Sequence, residues 1–463
     1  MAIGTCFYQD PDDTDDSLRE SSTQWISAAQ SWLSAPFKKR RPDLSEVQIH
    51  CLLLLARHTN VVGGDHRWIT AGSLVRIAMG IGLHRDPTHF PNMSVFNTEL
   101  RRRIWATILE LVVQSSLDSG MPPLISCEDY DCDPPSNIDD VQINEGTTTP
   151  PTSKPLDTFT QTSTQCALMR SLPIRLKVVK VLNSVRSDPS YEDTLRLGTE
   201  ITNACRSDSL LFQSFLVAPS STNQTRPTAF QIKFLDLLSR RFLLSLHTPF
   251  AQKANDNITY YFSRRVCLEA SLLLLSYSVS PPLHGMQVRD DDYTRLRVFG
   301  RGLFKSILLH ASATMCLELI MQLVEDSSPS TSSLSRKELY SAVRDSVEIT
   351  RRRVLAGETS VKGHVFFACA LAQIDAMQSG ISSEQPVKNA AMASLESCYA
   401  MLEARAARIA CLPIDDELRD MGGQGGYDDP ATIDFSMQNS SLDLDLSTDW
   451  LFSNWDNNNN AWS

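Results

Sequence analysis

The stretch Ala71-Gly72-Ser73-Leu74-Val75-Arg76-Ile77-Ala78-Met79-Gly80-Ile81-Gly82-Leu83-His84-Arg85-Asp86-Pro87 carries the periodicity on which the fold is read. Leu74, Ile77, Ala78 and Ile81 stand at i, i+3, i+4 and i+7, the spacing of one helix face. Gly82 and Pro87 are stop signals, because glycine accepts left-handed backbone and proline brings no N–H. Downstream, Leu100, Ile104, Ile108, Leu111, Val112 and Ser115 line a second helix, predicted to open at Asn97 or Thr98 with Glu99 at the positive end of its dipole. Gly120, Pro122 and Pro123 end it. The same period predicts helices over 45–61, 160–187, 191–211, 230–246, 257–278, 295–324, 335–356, 361–378 and 383–409, and no alternating strand pattern of useful length appears. The expected fold class is all-α, a multi-helix domain.

The chain has 463 residues, 42% hydrophobic and 21% charged, an ordinary globular composition. Its net charge of −11 is concentrated at one end. Residues 414–463 hold eleven acids and one base, Arg419, whereas the remainder holds 42 bases and 43 acids. A neutral body with an acidic appendage follows. Thr/Pro-rich 145–159, Ser/Thr/Pro-rich 218–228 and Ser-rich 327–335 are predicted to be exposed loops within one helical array. The expected division is an acidic lead-in over 1–21, a helical body over 22–412 and an acidic, aromatic tail over 413–463. The first residues lack the basic start of a signal peptide, and eleven cysteines without a CxxC spacing suit reduced thiols, which together predict an unexported chain. The apolar stretches at 51–55, 272–275 and 307–324 are short or interrupted by Arg57, His310 and Glu318, so no membrane span is expected.

Catalytic motifs fail on context or spacing. Asp12, Asp13 and Asp16 satisfy the DDxxD pattern that holds magnesium in all-helical terpene cyclases, yet they stand beside Pro11 with no second metal motif, so a solvated acidic lead-in is the preferred reading. Gly300-Arg301-Gly302-Leu303-Phe304-Lys305-Ser306 lacks the glycine before lysine that a P-loop needs, and neither GxSxG nor HExxH occurs. No catalytic, cofactor or metal residue is assigned, and an enzymatic activity is not expected. Three consecutive arginines fan over about 200° of a helix. The triplets Arg101, Arg102, Arg103 and Arg351, Arg352, Arg353 therefore cannot track one phosphate backbone. Internal pairing of the first triplet with Glu128, Asp129, Asp131, Asp133, Asp139 and Asp140 is expected instead. Lys38, Lys39, Arg40 and Arg41 before Pro42 read equally as a nuclear import signal or a solvated turn. In the tail, Phe435, Trp450, Leu451, Phe452 and Trp455 are interspersed with aspartates, the pattern of a transcriptional activation segment; a strap packed on the body is the alternative.

Taken together, the 71–87 stretch, Glu99-Leu100-Arg101-Arg102-Arg103-Ile104-Trp105, Ser119-Gly120-Met121-Pro122, the 129–140 loop and Arg240-Arg241-Phe242-Leu243-Leu244-Ser245-Leu246-His247-Thr248-Pro249-Phe250 resemble, in order and spacing, the middle homology region of fungal zinc-binuclear-cluster transcription factors. The resemblance spans about 22–412 and rests on Arg76, Gly82, Leu83, His84, Arg85, Asp86, Pro87, Glu99, Arg101 to Arg103, Trp105, Gly120, Pro122, His247 and Pro249. It departs from the family at Ala106, where an aromatic often follows the tryptophan. It implies an all-helical regulatory domain, a nuclear location, RNA polymerase II-dependent gene control, possible service to a secondary-metabolite pathway, and a homo- or heterodimer. Such factors read DNA through six cysteines holding two zinc ions. No such cluster is present in this sequence, the nearest pair being Cys127 and Cys132. Zinc is thus expected only with an upstream cluster restored, and DNA contact only through such a module or a partner. The tail is expected to engage transcription machinery or coactivators. Two alternative readings stand beside it: an all-helical, magnesium-dependent terpene cyclase-like enzyme using Asp12, Asp13 and Asp16, and a helical scaffold without a transcriptional role.

Overall fold

The computed structural model describes residues 17–34, 42–60, 62, 67–186, 189–217, 226–276, 292–325 and 333–410. They form thirteen α-helices, and no strand occurs among the described residues. The helices are α1 (Ser17–Ser34), α2 (Leu44–Asn60), α3 (Arg67–Gly80), α4 (Val95–Asp118), α5 (Ser163–Leu182), α6 (Tyr191–Val217), α7 (Ala229–Ala251), α8 (Tyr261–Ser276), α9 (Asp292–Phe299), α10 (Leu303–Glu325), α11 (Ser333–Leu355), α12 (Lys362–Gln378) and α13 (Glu384–Ala410). The first begins at Ser17, inside the expected lead-in. Asp12, Asp13, Asp16, the Lys38 to Arg41 cluster and the tail aromatics Phe435, Trp450, Leu451, Phe452 and Trp455 lie outside the described residues.

Several helix boundaries differ from expectation, three of them for identifiable local reasons. Helix α4 opens at Val95 because Ser94 is its N-cap, with Oγ accepting from the Asn97 backbone N at 3.2 Å. That bond satisfies one free donor of the first turn and contributes about 1 kcal/mol. The expected single helix over 295–324 is broken at Gly300 to Gly302, where Gly302 adopts φ +59°, dividing it into α9 and α10. Helix α7 continues past the expected end at 246 and takes Pro249 into its last turn, where a missing N–H costs one hydrogen bond.

The helices surround two apolar cores. Val47, Leu74, Ile104, Trp105, Ile108, Val112, Ile201, Phe242 and Leu246 belong to the first, built from α2 to α7. Phe159, Phe212, Leu244, Leu274, Tyr293, Met315, Leu319, Val343 and Ile374 belong to the second, built mainly from α6 to α12. Helix α7 serves both, sending Phe242, Leu243 and Leu246 to one and Leu237, Leu238 and Leu244 to the other.

Helix α10 corrects the expectation that no segment is long and apolar enough to cross a bilayer: residues 304–325 meet that requirement by length and composition. Its apolarity serves packing. Ile307, Leu308, Ala311, Met315, Cys316 and Leu319 are buried in the second core, and Glu318 is paired with Arg264 of α8 at 2.7 Å. A helix hydrophobic around most of its circumference suits the centre of a helical array.

Candidate functional site

Gly82 to Pro87, Glu99 to Trp105 and the 129–140 loop converge on one corner, organised by Asp86. Helix α3 ends at Gly80, and Gly82 turns the chain with φ +78°. Asp86 then caps the short 3-10 helix Pro87–His89, accepting from Thr88 N at 3.0 Å and Thr88 Oγ1 at 2.7 Å. The same carboxylate takes a fork from Arg102, Nε at 3.0 Å and Nη2 at 2.9 Å, and the Asp133 backbone N at 3.0 Å. Burial opposes ionisation of Asp86, but the bonds from Arg102, Thr88 and Asp133 outweigh it and hold the carboxyl well below the usual carboxylate range.

The three arginines of the first triplet have three separate tasks. Arg101 donates to the carbonyls of Ile81 at 3.1 Å and Gly82 at 2.7 Å, placing its cation at the C-terminal end of α3 where the dipole is negative. Its partners are thus carbonyls, where the sequence suggested acids. Arg102 binds Asp86 and approaches Asp133 at 3.6 Å. Arg103 bridges Glu99 at 3.1 Å and Asp140 at 2.6 Å, and Glu99 in turn accepts from the Ser136 backbone N. Arg85 pairs with Asp131 at 3.0 Å, whose other oxygen accepts from the Asp86 backbone N. The acidic loop is thereby fastened onto α4 and the end of α3. The Asp129 carboxylate is turned instead to Ser126, accepting from its backbone N at 2.7 Å and its Oγ at 3.0 Å.

Trp105, fully buried, stands under this lattice with its ring between those of His84 and Tyr130. Leu83 is buried beside it in the first core. Arg76, Gly120 and Pro122 are exposed, and the Pro122 carbonyl accepts from Trp68 Nε1 at 3.0 Å. His247 and Pro249 lie apart from this corner. His247 is buried on α7 with Nδ1 2.9 Å from Ser263 Oγ of α8, and burial pushes its pKa down to about 4. Gly198 of α6 faces the same ring so closely that a Cβ there would stand 2.2 Å from Nε2. Arg353 of the second arginine triplet repeats the device of Arg101. Arg353 donates to the carbonyls of Arg297 at 2.5 Å and Gly300 at 2.7 Å at the end of α9, and its Nε pairs with Glu358, while Arg351 pairs with Glu348.

A buried polar row between the two cores was missed in the sequence. Glu110, Gln114 and Asp118 follow one another at i, i+4 and i+8 on the side of α4 turned toward α5, α7 and α10. Arg175, wholly buried, forks onto Glu110 with two bonds of 2.8 Å. Gln114 accepts from Arg241 at 3.0 Å and donates to the Leu238 carbonyl at 3.0 Å. Asp118 takes Arg241 at 3.2 Å, Arg67, and Ser306 Oγ of α10 at 3.1 Å. His58 lies near the same carboxylate with Nε2 lacking a hydrogen-bond partner among the described residues; burial is the main cause holding its pKa to about 4. Three polar residues at helical spacing inside an apolar helix were the signal available in the sequence.

Every arginine described in these clusters is engaged with a carboxylate, an amide or a carbonyl of the chain itself, so the arrangement orients helices. Among the described residues no three His, Cys, Asp or Glu side chains are placed to hold a metal ion, and the nine described cysteines are free thiols. Those scattered thiols do not fit a binuclear zinc cluster.

The family model for the fungal specific transcription factor domain matches residues 1–256, more than half of the chain. The chain belongs to the fungal-specific transcription factor domain family. The chain is similar to the transcription factor lepE of Aspergillus flavus, 41% identical over 394 residues, covering 82% of this chain and 46% of that protein. It is similar to the transcription factor opdR of Penicillium oxalicum at 38% over 430 residues, 87% of this chain and 53% of the relative. The aspyridones cluster regulator apdR of Emericella nidulans is 35% identical over 409 residues, 87% and 55% of the two chains. The chain thus spans about half the length of these curated relatives. No solved structure matches this fungal-specific transcription factor domain.

Proposed function

We propose that this chain is the regulatory part of a nuclear transcription regulator that controls, through RNA polymerase II, a fungal secondary-metabolite gene cluster. The observation that carries the reading is the likeness over 87% of the chain to a protein named as the regulator of one such cluster, joined to the family match. The engagement of the first arginine triplet supports it. Cations already paired with Asp86, Glu99, Asp140 and helix-end carbonyls supply no phosphate-binding face, so DNA reading is assigned to another module or a partner. The acidic and aromatic residues of 414–463 are assigned to recruitment of coactivators, with Trp450, Phe452 and Trp455 as anchors. No enzymatic step is assigned to Asp12, Asp13 and Asp16.

Deleting and overexpressing the gene in its host, with transcripts measured genome-wide, tests the reading. A coordinated fall and rise of one contiguous set of biosynthetic genes is expected, and unchanged expression of every such set refutes it. Fused to an unrelated DNA-binding module, residues 414–463 should activate a reporter, and joint replacement of Trp450, Phe452 and Trp455 by Ala should abolish the activity. An inactive intact fusion removes the activation role while leaving cluster control standing.

A further inference from the structure

The last described helix, α13, has two faces. Val387, Ala391, Ser394, Cys398, Met401 and Arg405 follow a 4-3-4-3-4 spacing, and this side meets α11 and α12: Ser394 and Cys398 are buried, and Arg405 donates to the Leu355 carbonyl at 2.9 Å. About 100° around the helix, a second series with the same spacing runs through Lys388, Met392, Leu395, Tyr399, Leu402 and Ala406. Met392 is 60% exposed, Leu395 46% and Tyr399 69%. Alternating three- and four-residue steps are the spacing of a seam that packs against another helix. Three large apolar side chains aligned on it form a stripe, whereas scattered exposed apolar residues need no explanation.

The charges at the ends of the stripe specify its occupant. Lys388 and Glu403 stand on the same side as Met392, Leu395 and Tyr399, each seven and a half residues from the midpoint between Leu395 and Glu396, or about 11 Å along the axis. In a two-fold antiparallel pair centred there, Lys388 of one copy falls opposite Glu403 of the other, twice. Met392 meets Tyr399 of the second copy, a favourable thioether–aromatic contact, and the two Leu395 side chains meet at the axis. Such self-complementarity is the requirement of an isologous interface. Lys388 now pairs with Glu384 of its own helix at 2.7 Å, with both side chains more than half exposed, so exchanging that partner costs little.

We propose that the outer face of α13 is a self-association surface that pairs this chain with a second copy, antiparallel, through Met392, Leu395 and Tyr399 with Lys388–Glu403 contacts at both ends. This assignment is independent of which genes the protein controls.

Sedimentation velocity on the full chain, from low to high micromolar concentration, tests it. A concentration-dependent dimer is expected for the native chain, and Leu395→Asp with Tyr399→Asp should yield a monomer whose thermal midpoint equals that of the native chain at concentrations low enough for the native chain to be monomeric, because both positions are exposed. Lys388→Glu and Glu403→Lys should each raise the dimer dissociation constant by about tenfold, and the chain carrying both should regain native affinity. A native chain monomeric throughout overturns the proposal and leaves the stripe to residues 411–463 or to another protein. So does a dimer that survives the aspartate substitutions. Should those substitutions impair folding, the charge exchange decides by itself: no loss with either single change, or no recovery in the double, is equally fatal.

Discussion

Replacing Arg241 by Met probes the polar row between the two cores. Arg241 is fully buried and donates to Gln114 Oε1 at 3.0 Å and Asp118 at 3.2 Å. Without it, Asp118 keeps Arg67 and Ser306, but loses the cation that lies deepest in the interior, and Gln114 Oε1 loses its donor. Breaking a buried pair from one side costs about 3–5 kcal/mol because the remaining charge stays buried. The buried amide oxygen adds about 1–3 kcal/mol. Methionine returns some apolar contact, so the net expectation is a loss of about 3–5 kcal/mol. Adding Asp118→Leu should restore part of that loss, since it removes the stranded carboxylate, and a coupling of at least about 2 kcal/mol between the two sites is expected. Urea unfolding followed by circular dichroism measures both quantities, provided the slope with denaturant is the same in all four chains. A single variant within about 1 kcal/mol of the native chain, or strictly additive effects, would refute the argument that this row holds the helices in register.

Three further outcomes are expected. Trp105→Ala empties a site enclosed by His84, Tyr130 and the first core and should cost about 3–5 kcal/mol in thermal or urea melts; an unchanged midpoint with altered regulation would place Trp105 at an effector surface instead. Gly198→Ala should destabilise by about 1–3 kcal/mol despite the better helix propensity of alanine, because the new Cβ collides with the buried, bonded His247 ring; a stabilised variant would show that the ring can move. His58, His247 and His310 are each held near pKa 4 by burial, so below about pH 6.5 the unfolded chain takes up protons that the folded chain refuses. Stability should therefore fall as pH drops from about 6.5 toward 4, by up to about 4 kcal/mol per pH unit for three sites acting together. The lowered Asp86 pKa adds a loss of the same sign at more acidic pH. Flat urea midpoints between pH 8 and 5 would contradict the neutral burial of these rings.

The residues that form helices were legible because each needs only its own neighbours in the chain. The period in 71–81 and the stops at Gly82 and Gly120 depend on local backbone preference, and they correspond to real turns with positive φ at both glycines. Boundaries that depended on competition between adjacent signals were less legible. Ser94 displaced Asn97 and Thr98 as the cap of α4, and Pro249 was retained within the last turn of α7, whose inner side chains Leu246, His247 and Phe250 are buried by other helices.

The candidate site divides along the same line. Family membership was readable from motif order, as was the need of the arginine triplet for partners inside the chain. Which partner each arginine takes was not, because Asp86, Glu99 and Asp140 lie 16, 4 and 37 residues away from the arginines that hold them, and Arg101 and Arg353 bind carbonyls that any residue could offer. The row Glu110, Gln114 and Asp118 is polar in sequence but acquires its meaning only when α5, α7 and α10 bring Arg175, Arg241 and Ser306 against it. Local sequence determined where helices form, since hydrophobic period and capping act within a few residues. Tertiary packing decided which polar side chains are buried together, since a buried charge is tolerated only where a distant segment delivers its counterpart.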